Sequence, residues 1–489
     1  MPIKTFLLFF CFFFTLSTHA KDYKASFFGI ESNGTTLNTA SIQKAIDHIH
    51  ENGGGRLIFG VGRFLTGTFY LKSKVSIHLQ EGAVLVGSLN PFDYNRHGWW
   101  TSMIFAFEQD SIGITGEGVI GGRGYQVAQN VLTMVHRGIL KDEKLNNDRP
   151  IEGLRPHLIF FKGCKNIHIQ GIVMKNPASW TQQYDQCTNL LVENITVDSK
   201  NYWNNDGIDV VDCDSVVIRN SYFDASDDAI CLKSHSDKFL CQNVEIYNNT
   251  ARSSASGIKF GTYSKGGFKN IKIINNTVFD TYRSAITFAA VDGGIVENII
   301  VDSLRALNTG NAIFLRIGER IAGKKGSMKN ISISNVYVEV PADKADAGYP
   351  YEGPIEHLPR NVSPASIVGM PDALIENVRL KNVEIHYPGG ANPNYAKVGL
   401  DELDKVPELG DKYPEFSMFK ELPAWGFYVR HASDIVFENV RLSCEKVDFR
   451  TAIVLDNVHA IHFKDLEVQE PQKNKEPIFD YLSSDIKIE

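Results

Sequence analysis

One phrase recurs along most of this chain and limits the fold more than any other feature. An apolar or cysteine residue stands two places before Asn or Ser, and alternating aliphatics follow. It reads Cys164-Lys165-Asn166-Ile167-His168-Ile169, then Cys187-Thr188-Asn189-Leu190-Leu191-Val192. Cys213-Asp214-Ser215-Val216-Val217-Ile218 and Cys241-Gln242-Asn243-Val244-Glu245-Ile246 come next. Phe268-Lys269-Asn270, Val296-Glu297-Asn298 and Met328-Lys329-Asn330 continue it, and Ile375-Glu376-Asn377 and Phe437-Glu438-Asn439 read as late copies. The third positions 166, 189, 215, 243, 270 and 298 are separated by 23, 26, 28, 27 and 28 residues. A period in the twenties, built from short alternating strands with no helix between them, predicts a parallel β-helix. Inward aliphatics then stack rung on rung about 4.8 Å apart. The same register places Cys164, Cys187, Cys213 and Cys241 in one packing column. It also makes the repeated Asn a turn residue that tolerates a left-handed backbone.

The stack needs ends and walls. Ile42, Ala45, Ile46 and Ile49 lie at helical spacing, opened by Asn38 or Thr39 and closed by Gly53-Gly54-Gly55, which predicts a capping helix near the start. From Arg56 onward the period becomes two. Pro341 to Asp372, with Tyr349-Pro350-Tyr351-Glu352-Gly353, and Tyr387 to Phe427 interrupt the repeat as long insertions. Such loops on a solenoid gather on one face and shape a groove, the alternative being harmless decoration. No linker divides residues 21–489, so one domain is expected. Before it, Lys4, the apolar run Phe6 to Leu16 and Thr18-His19-Ala20 read as a cleaved secretory signal over residues 1–20. That run is too short to span a bilayer. Cys11 within it lacks the small residues expected before a lipidated cysteine. An exported, soluble monomer is expected.

Six cysteines remain after cleavage: Cys164, Cys187, Cys213, Cys231, Cys241 and Cys444. They are too few for a disulfide scaffold of this length and form no CxxC pair, so structural thiols are expected. A net charge of −7 and a pI near 6.1 argue against a nucleic-acid partner, which needs a basic face. An acidic ligand is still allowed where Lys and Arg cluster locally.

Chemistry concentrates in Asn204-Asn205-Asp206-Gly207-Ile208-Asp209 and Ser226-Asp227-Asp228. Asp206 and Asp227 are 21 positions apart, about one turn of the repeat. Neighbouring rungs therefore bring three carboxylates onto one patch. Most Asp residues in such a solenoid only make turns, but a purely structural cluster of acids costs repulsion, and close acids push one pKa upward. That arrangement lets one carboxyl hold a proton to donate while another takes one, the equipment for cleaving a glycosidic bond. Trp203 upstream could stack on a sugar ring, and Lys233 and His235 downstream provide a basic flank.

These residues resemble glycoside hydrolase family 28, the polygalacturonase and rhamnogalacturonan hydrolase family of right-handed parallel β-helices. Arg155-Pro156-His157-Leu158-Ile159 and Asn176-Pro177-Ala178-Ser179-Trp180 resemble its approach to the active site. Asn204-Asn205-Asp206-Gly207 is similar to its Asn-Thr-Asp-Gly motif, with Asn205 for Thr. Ser226-Asp227-Asp228-Ala229-Ile230 is similar to its Gly-Asp-Asp motif, with Ser226 for Gly. The resemblance implies inverting hydrolysis of a pectic, galacturonic-acid-containing glycan, with no metal or other cofactor. Asp227 would protonate the leaving oxygen, while Asp206 and Asp228 would hold and deprotonate the attacking water. An inverting pair is expected roughly 6.5–9.5 Å apart. Asn205, inside the first motif, is counted with the substrate contacts.

Two departures stand out. Where the family carries Gly-His-Gly, this chain has Ala255-Ser256-Gly257. The family's Arg-Ile-Lys, which holds a substrate carboxylate, has no clean match in Tyr282-Arg283-Ser284-Ala285-Ile286-Thr287-Phe288. Lys259 and Arg283 are the candidates to replace it, the alternative being solvated surface charges. The insertions suggest a closed-off pocket and attack from a chain end. A pectate-lyase-like enzyme, which would need calcium and a cationic base, and a non-catalytic carbohydrate-binding β-helix are the competing readings.

Overall fold

The repeat coils as its spacing predicts. The computed structural model describes residues 21–345, 348–350, 360–471 and 476–489. The chain winds as a right-handed parallel β-helix, each strand pairing with its counterparts one turn before and one turn after. The rungs that matter most are β1 (Gln182–Asp185), β2 (Ile208–Val211), β3 (Ile230–Ser234), β4 (Ile258–Ser264), β5 (Gly267–Ala290) and β6 (Ile295–Ile317). Their register stacks Ile208, Ile230, Ile258, Ile286 and Ile313 into one inward column, each fully buried. A buried isoleucine contributes about 1.5–3 kcal/mol relative to an exposed one, so the column fixes the register strongly. With a period of two, the next residues, Asp209, Cys231 and Lys259, must point outward, one above another.

The turn asparagines behave as expected. Asn166, Asn189, Asn243, Asn270, Asn298, Asn330 and Asn377 all have positive φ, with Ser215 in the same role. Their amides form a ladder: Asn270 donates to Asn243 (3.1 Å), Asn298 to Asn270 (3.0 Å), Asn330 to Asn298 (3.1 Å) and Asn377 to Asn330 (2.8 Å). The last copy of the phrase, however, is out of register. Asn439 donates to Asn382 (2.8 Å), and Val440 pairs with Val383, so Asp434 rather than Asn439 stands opposite Asn377. The slip has a physical origin. Most rungs carry a second left-handed Asn five residues after the first, as in Asn243 and Asn248 or Asn377 and Asn382, with Gly171 and Ser303 taking that place in two others and similar aliphatic flanks throughout.

The capping helix α1 (Thr39–Glu51) buries Ile42, Ala45, Ile46 and Ile49 completely. Asn38 sits at its N-cap but spends its side chain on the chain before the helix, accepting from Glu31 N (2.8 Å). A second helix, α2 (Gly124–His136), was not expected from the periodicity. It buries Val127, Ala128 and Val131. Its first residue presses on Pro177 so closely that a Cβ would lie 1.9 Å from Pro177 O. Tyr125 of α2 packs edge-on to Tyr202 (6.2 Å), which places the helix beneath the loop that carries Asp206.

All six cysteines are buried free thiols, and Cys164, Cys187, Cys213 and Cys241 do share a column. Insertion 387–427 builds a small core of its own. Leu403, Val406, Phe416, Phe419 and Leu422 pack on the outward side chains Phe314, Val368, Tyr428 and Val454 of the coil. The other insertion is tied down where Tyr349 donates to Asp224 (2.7 Å). Its Tyr351-Glu352-Gly353 and the leader Met1–Ala20 lie outside the described residues. Among the described residues, no helix is long and apolar enough to cross a membrane.

Candidate active site

The acids sit where loops enter β2 and β3, and Ser256 holds the matching place before β4. Gly207 N donates to Asp228 O (3.0 Å), and Ala229 N donates to Ser256 O (3.0 Å), so Asp206, Asp228 and Ser256 occupy successive rungs. Gly207 permits this approach, because a Cβ there would lie 2.4 Å from Ala229 O. The loop before Asp206 is held from behind by Arg155. This fully buried guanidinium donates to Pro150 O (2.8 Å), Ala178 O (2.7 Å), Trp203 O (2.7 Å) and Asn204 Oδ1 (2.7 Å).

One oxygen from each of Asp206, Asp227 and Asp228 lies within 4.8 Å of the others. This is tighter than the gap expected of an inverting pair. The reason is architectural, since carboxylates at equal positions on neighbouring rungs are separated by little more than the rung spacing. Asp206 and Asp228 are buried and Asp227 is half-buried. Asp227 Oδ1 accepts from Asp228 N (3.0 Å).

Each buried acid has its own ammonium. Lys259 Nζ donates to Asp228 Oδ2 (2.7 Å) and to the Tyr413 hydroxyl (2.8 Å). Lys233 Nζ donates to Asp206 Oδ2 (3.2 Å) and to Asp209 Oδ1, and lies 3.1 Å from Cys231 Sγ. It also sits 4.3 Å from the ring centre of Trp180, a favourable place for a cation. Behind Trp180, His157 is buried against that ring (5.6 Å) and against Trp100 (4.8 Å). Burial lowers the His157 pKa to about 3, with Arg155 and Lys233 pushing the same way, so it stays neutral.

The environment divides the acids. Burial raises the Asp206 pKa well above the carboxylate range and Asp209 adds to this, while Lys233 pulls against both. Burial pushes Asp228 upward too, but Lys259, Arg283 and Lys233 together outweigh it and leave its pKa below the ordinary value. Asp228 is therefore the firm anion, and Asp206 is the carboxyl closer to holding a proton. Three oxygens so close could also bind a cation, but two of these carboxylates are already paired with lysines, which a metal ion would have to displace.

The acids open into a cavity of 880 Å³. Trp180, Lys233, Lys259 and Arg283 also line it, Arg149 and Glu152 form one side, and Lys412, Tyr413, Glu415 and Met418 bring insertion 387–427 to the other. Lys259 and Arg283 are buried, not solvated. Three anticipated substrate contacts lie elsewhere. Asn205 is fully buried, and its amide is spent on Pro177 O (3.2 Å), Ser179 O (2.9 Å), Asn201 N (3.2 Å) and Tyr202 N (2.8 Å), so it shapes the loop. Trp203 lies outside the cavity lining, with the Arg149 guanidinium over its ring (5.0 Å). His235 belongs to a neighbouring depression with Lys162, Asp185 and Asp212, its ring edge-on to Tyr263 (4.6 Å). Burial, with Lys233 nearby, lowers its pKa to about 4.

Other residues were not singled out from sequence. Asp209 follows Asp206 on the outward face of β2, a position the period of two does encode. Tyr413 and Glu415 are 185 and 187 residues beyond Asp228 in an insertion with no repeat register, so nothing in the sequence signalled them.

The sequence model of glycosyl hydrolases family 28 matches residues 61–286, a span that holds the acids, Lys233, Lys259 and Arg283 but not insertion 387–427. An exo-poly-α-D-galacturonosidase of Dickeya chrysanthemi is 23% identical over 73% of this chain and 70% of its own. Among solved structures, the family 28 exopolygalacturonase of Yersinia enterocolitica superposes with a TM-score of 0.66 at 18% identity, covering 93% of this chain and 79% of that one. A hyperthermoactive exopolygalacturonase of Thermotoga maritima gives 0.59 at 21% identity, covering 75% and 87%.

Proposed function

This chain belongs to the glycosyl hydrolases of family 28, and from that premise we propose that it cleaves galacturonic-acid-containing bonds of a pectic glycan from a chain end. The observation that carries the reading is the convergence of Asp206, Asp227 and Asp228, on adjacent rungs, at the base of a cavity walled by an insertion. Asp227, half-buried and with no lysine at hydrogen-bond distance among the described residues, is the general acid for the leaving oxygen. Asp228, kept anionic by Lys259, takes the proton of the attacking water. Asp206 orients that water through Oδ1, which is buried and has no hydrogen-bond partner among the described residues. A water can bridge oxygens up to about 5.6 Å apart with bonds of about 2.8 Å, so the Asp206–Asp228 gap admits one.

Inversion is part of this proposal. The short carboxylate spacing favours the second reading, a retaining enzyme with a covalent intermediate. Proton NMR of the first anomer released separates the two. Mass spectrometry of the products tests the rest. Fragments of one or two sugars that have gained one water are expected. Unsaturated fragments would make the protein a lyase, and early mixtures of long oligomers would exclude attack from the chain end.

The leader Met1–Ala20 supports export. The N-terminal residue of the secreted protein is then expected to be Lys21, and a secreted chain that keeps Met1 would refute cleavage.

A further inference from the structure

Arg283 and Lys259 are buried cations of this cavity that could seat a substrate carboxylate, and neither is bare. The insertion has brought its own carboxylate to the first of them. Glu415 Oε2 lies 2.8 Å from Arg283 Nε. The Tyr413 ring lies 5.8 Å from the same guanidinium, and its hydroxyl occupies Lys259. Arg283 and Glu415 cancel in charge, and so do Lys259 and Asp228. On the cavity rim, Arg320 is bound twice by Asp292 (2.9 and 2.7 Å). Glu415 Oε1 is buried, faces no donor among the described residues, and so retains an unmet demand for one. Burial holds the Glu415 pKa above the ordinary carboxylate value, an upward shift that Arg283 and Lys259 only partly offset.

A uronate carboxylate arriving at the buried Arg283 would meet Glu415 at like charge, an arrangement that disfavours binding. A neutral sugar meets no such repulsion, and one of its hydroxyls can donate to Oε1. Resting on the pectic hydrolase reading, we propose that Glu415 makes the subsite at Arg283 selective for an uncharged, hydroxyl-bearing sugar. The natural backbone then mixes galacturonic acid with neutral sugars instead of consisting of galacturonic acid alone.

The test compares kcat/KM of the full mature chain on three oligosaccharides of equal length: oligogalacturonate, its methyl ester, and alternating galacturonate–rhamnose. The alternating chain is expected to lead oligogalacturonate by about tenfold or more, the factor that 1.4 kcal/mol of repulsion produces, and the uncharged methyl ester is expected to escape most of that penalty. Glu415→Gln is expected to narrow that lead from both sides, raising kcat/KM on oligogalacturonate and lowering it on the alternating chain. The wild-type comparison decides the matter even if the variant fails to fold. A wild-type preference for oligogalacturonate over both of the other substrates overturns the inference and leaves the hydrolase reading intact. Equal losses on all substrates in Glu415→Gln also overturn it. Failure to cleave any of the three would bring down the hydrolase reading, and this inference with it.

Discussion

Asp227→Asn is expected to lower kcat on a natural glycan by about 10³-fold or more and to leave the melting temperature close to that of the parent. The size follows from removing the proposed general acid, worth about 10²–10⁴ in rate, at a bond whose oxygen is a poor leaving group without a proton. The stability half follows from the local geometry. The bond that Asp227 makes in its turn is accepted by Oδ1 from Asp228 N, and an asparagine can accept it equally well. Among the described residues no lysine pairs with Asp227, so the substitution strands no buried charge there, unlike Asp228→Asn, which would leave the Lys259 ammonium without its carboxylate. A galacturonide with an activated aryl leaving group departs with little need of a proton. On that substrate the deficit should shrink to about tenfold or less. An equal deficit on both substrates would mean that Asp227 is not the acid, and unchanged kcat on the glycan would remove it from the mechanism altogether.

Much of this arrangement could be read before the coordinates because a solenoid converts spacing into proximity. Asp206 and Asp228 meet since one period separates their motifs, and Lys259 turns toward them since it lies on the outward parity of β4. Asn205 shows the limit of reading by motif. It carries a plausible residue type at a plausible position, yet its parity places it inside the loop, where its amide satisfies four backbone groups. His235 fails for a related reason, because its backbone N donates to Asp212 and the chain turns away from the cavity just past β3. Asn439 was misplaced because each rung repeats its turn signal twice. Tyr413 and Glu415 were beyond reach, because an insertion without register gains its position from packing Phe416, Phe419 and Leu422 on the coil, and no pattern encodes that contact.

Lys233→Met is expected to have the second largest effect, and its dependence on pH carries the argument. The substitution keeps the length of the side chain on Trp180 but withdraws the ammonium shared by Asp206 and Asp209. Both carboxylates are buried, and burial already raises both pKa values, with Lys233 as the largest opposing influence. Without it they rise further. A group whose folded pKa exceeds its unfolded value, near 3.9 for Asp, favours the fold while protonated and costs stability as pH rises through the folded value. Lys233 itself stays charged in folded and unfolded chains throughout the acid and neutral range, so it adds no slope there. The variant should therefore match the parent most closely near pH 4 and fall behind progressively toward pH 8, where breaking a buried pair costs about 3–5 kcal/mol. Melting temperatures taken across that range give the gap directly. On the proposed mechanism the acidic limb of the kcat/KM profile should move upward by about one pH unit or more, because the carboxyl that orients the attacking water would hold its proton to higher pH. A stability gap that does not change with pH, joined to an unmoved acidic limb, would show that Lys233 only fills space. A widening gap with a shifted limb would show that it sets the charge of the carboxylate on which the water depends.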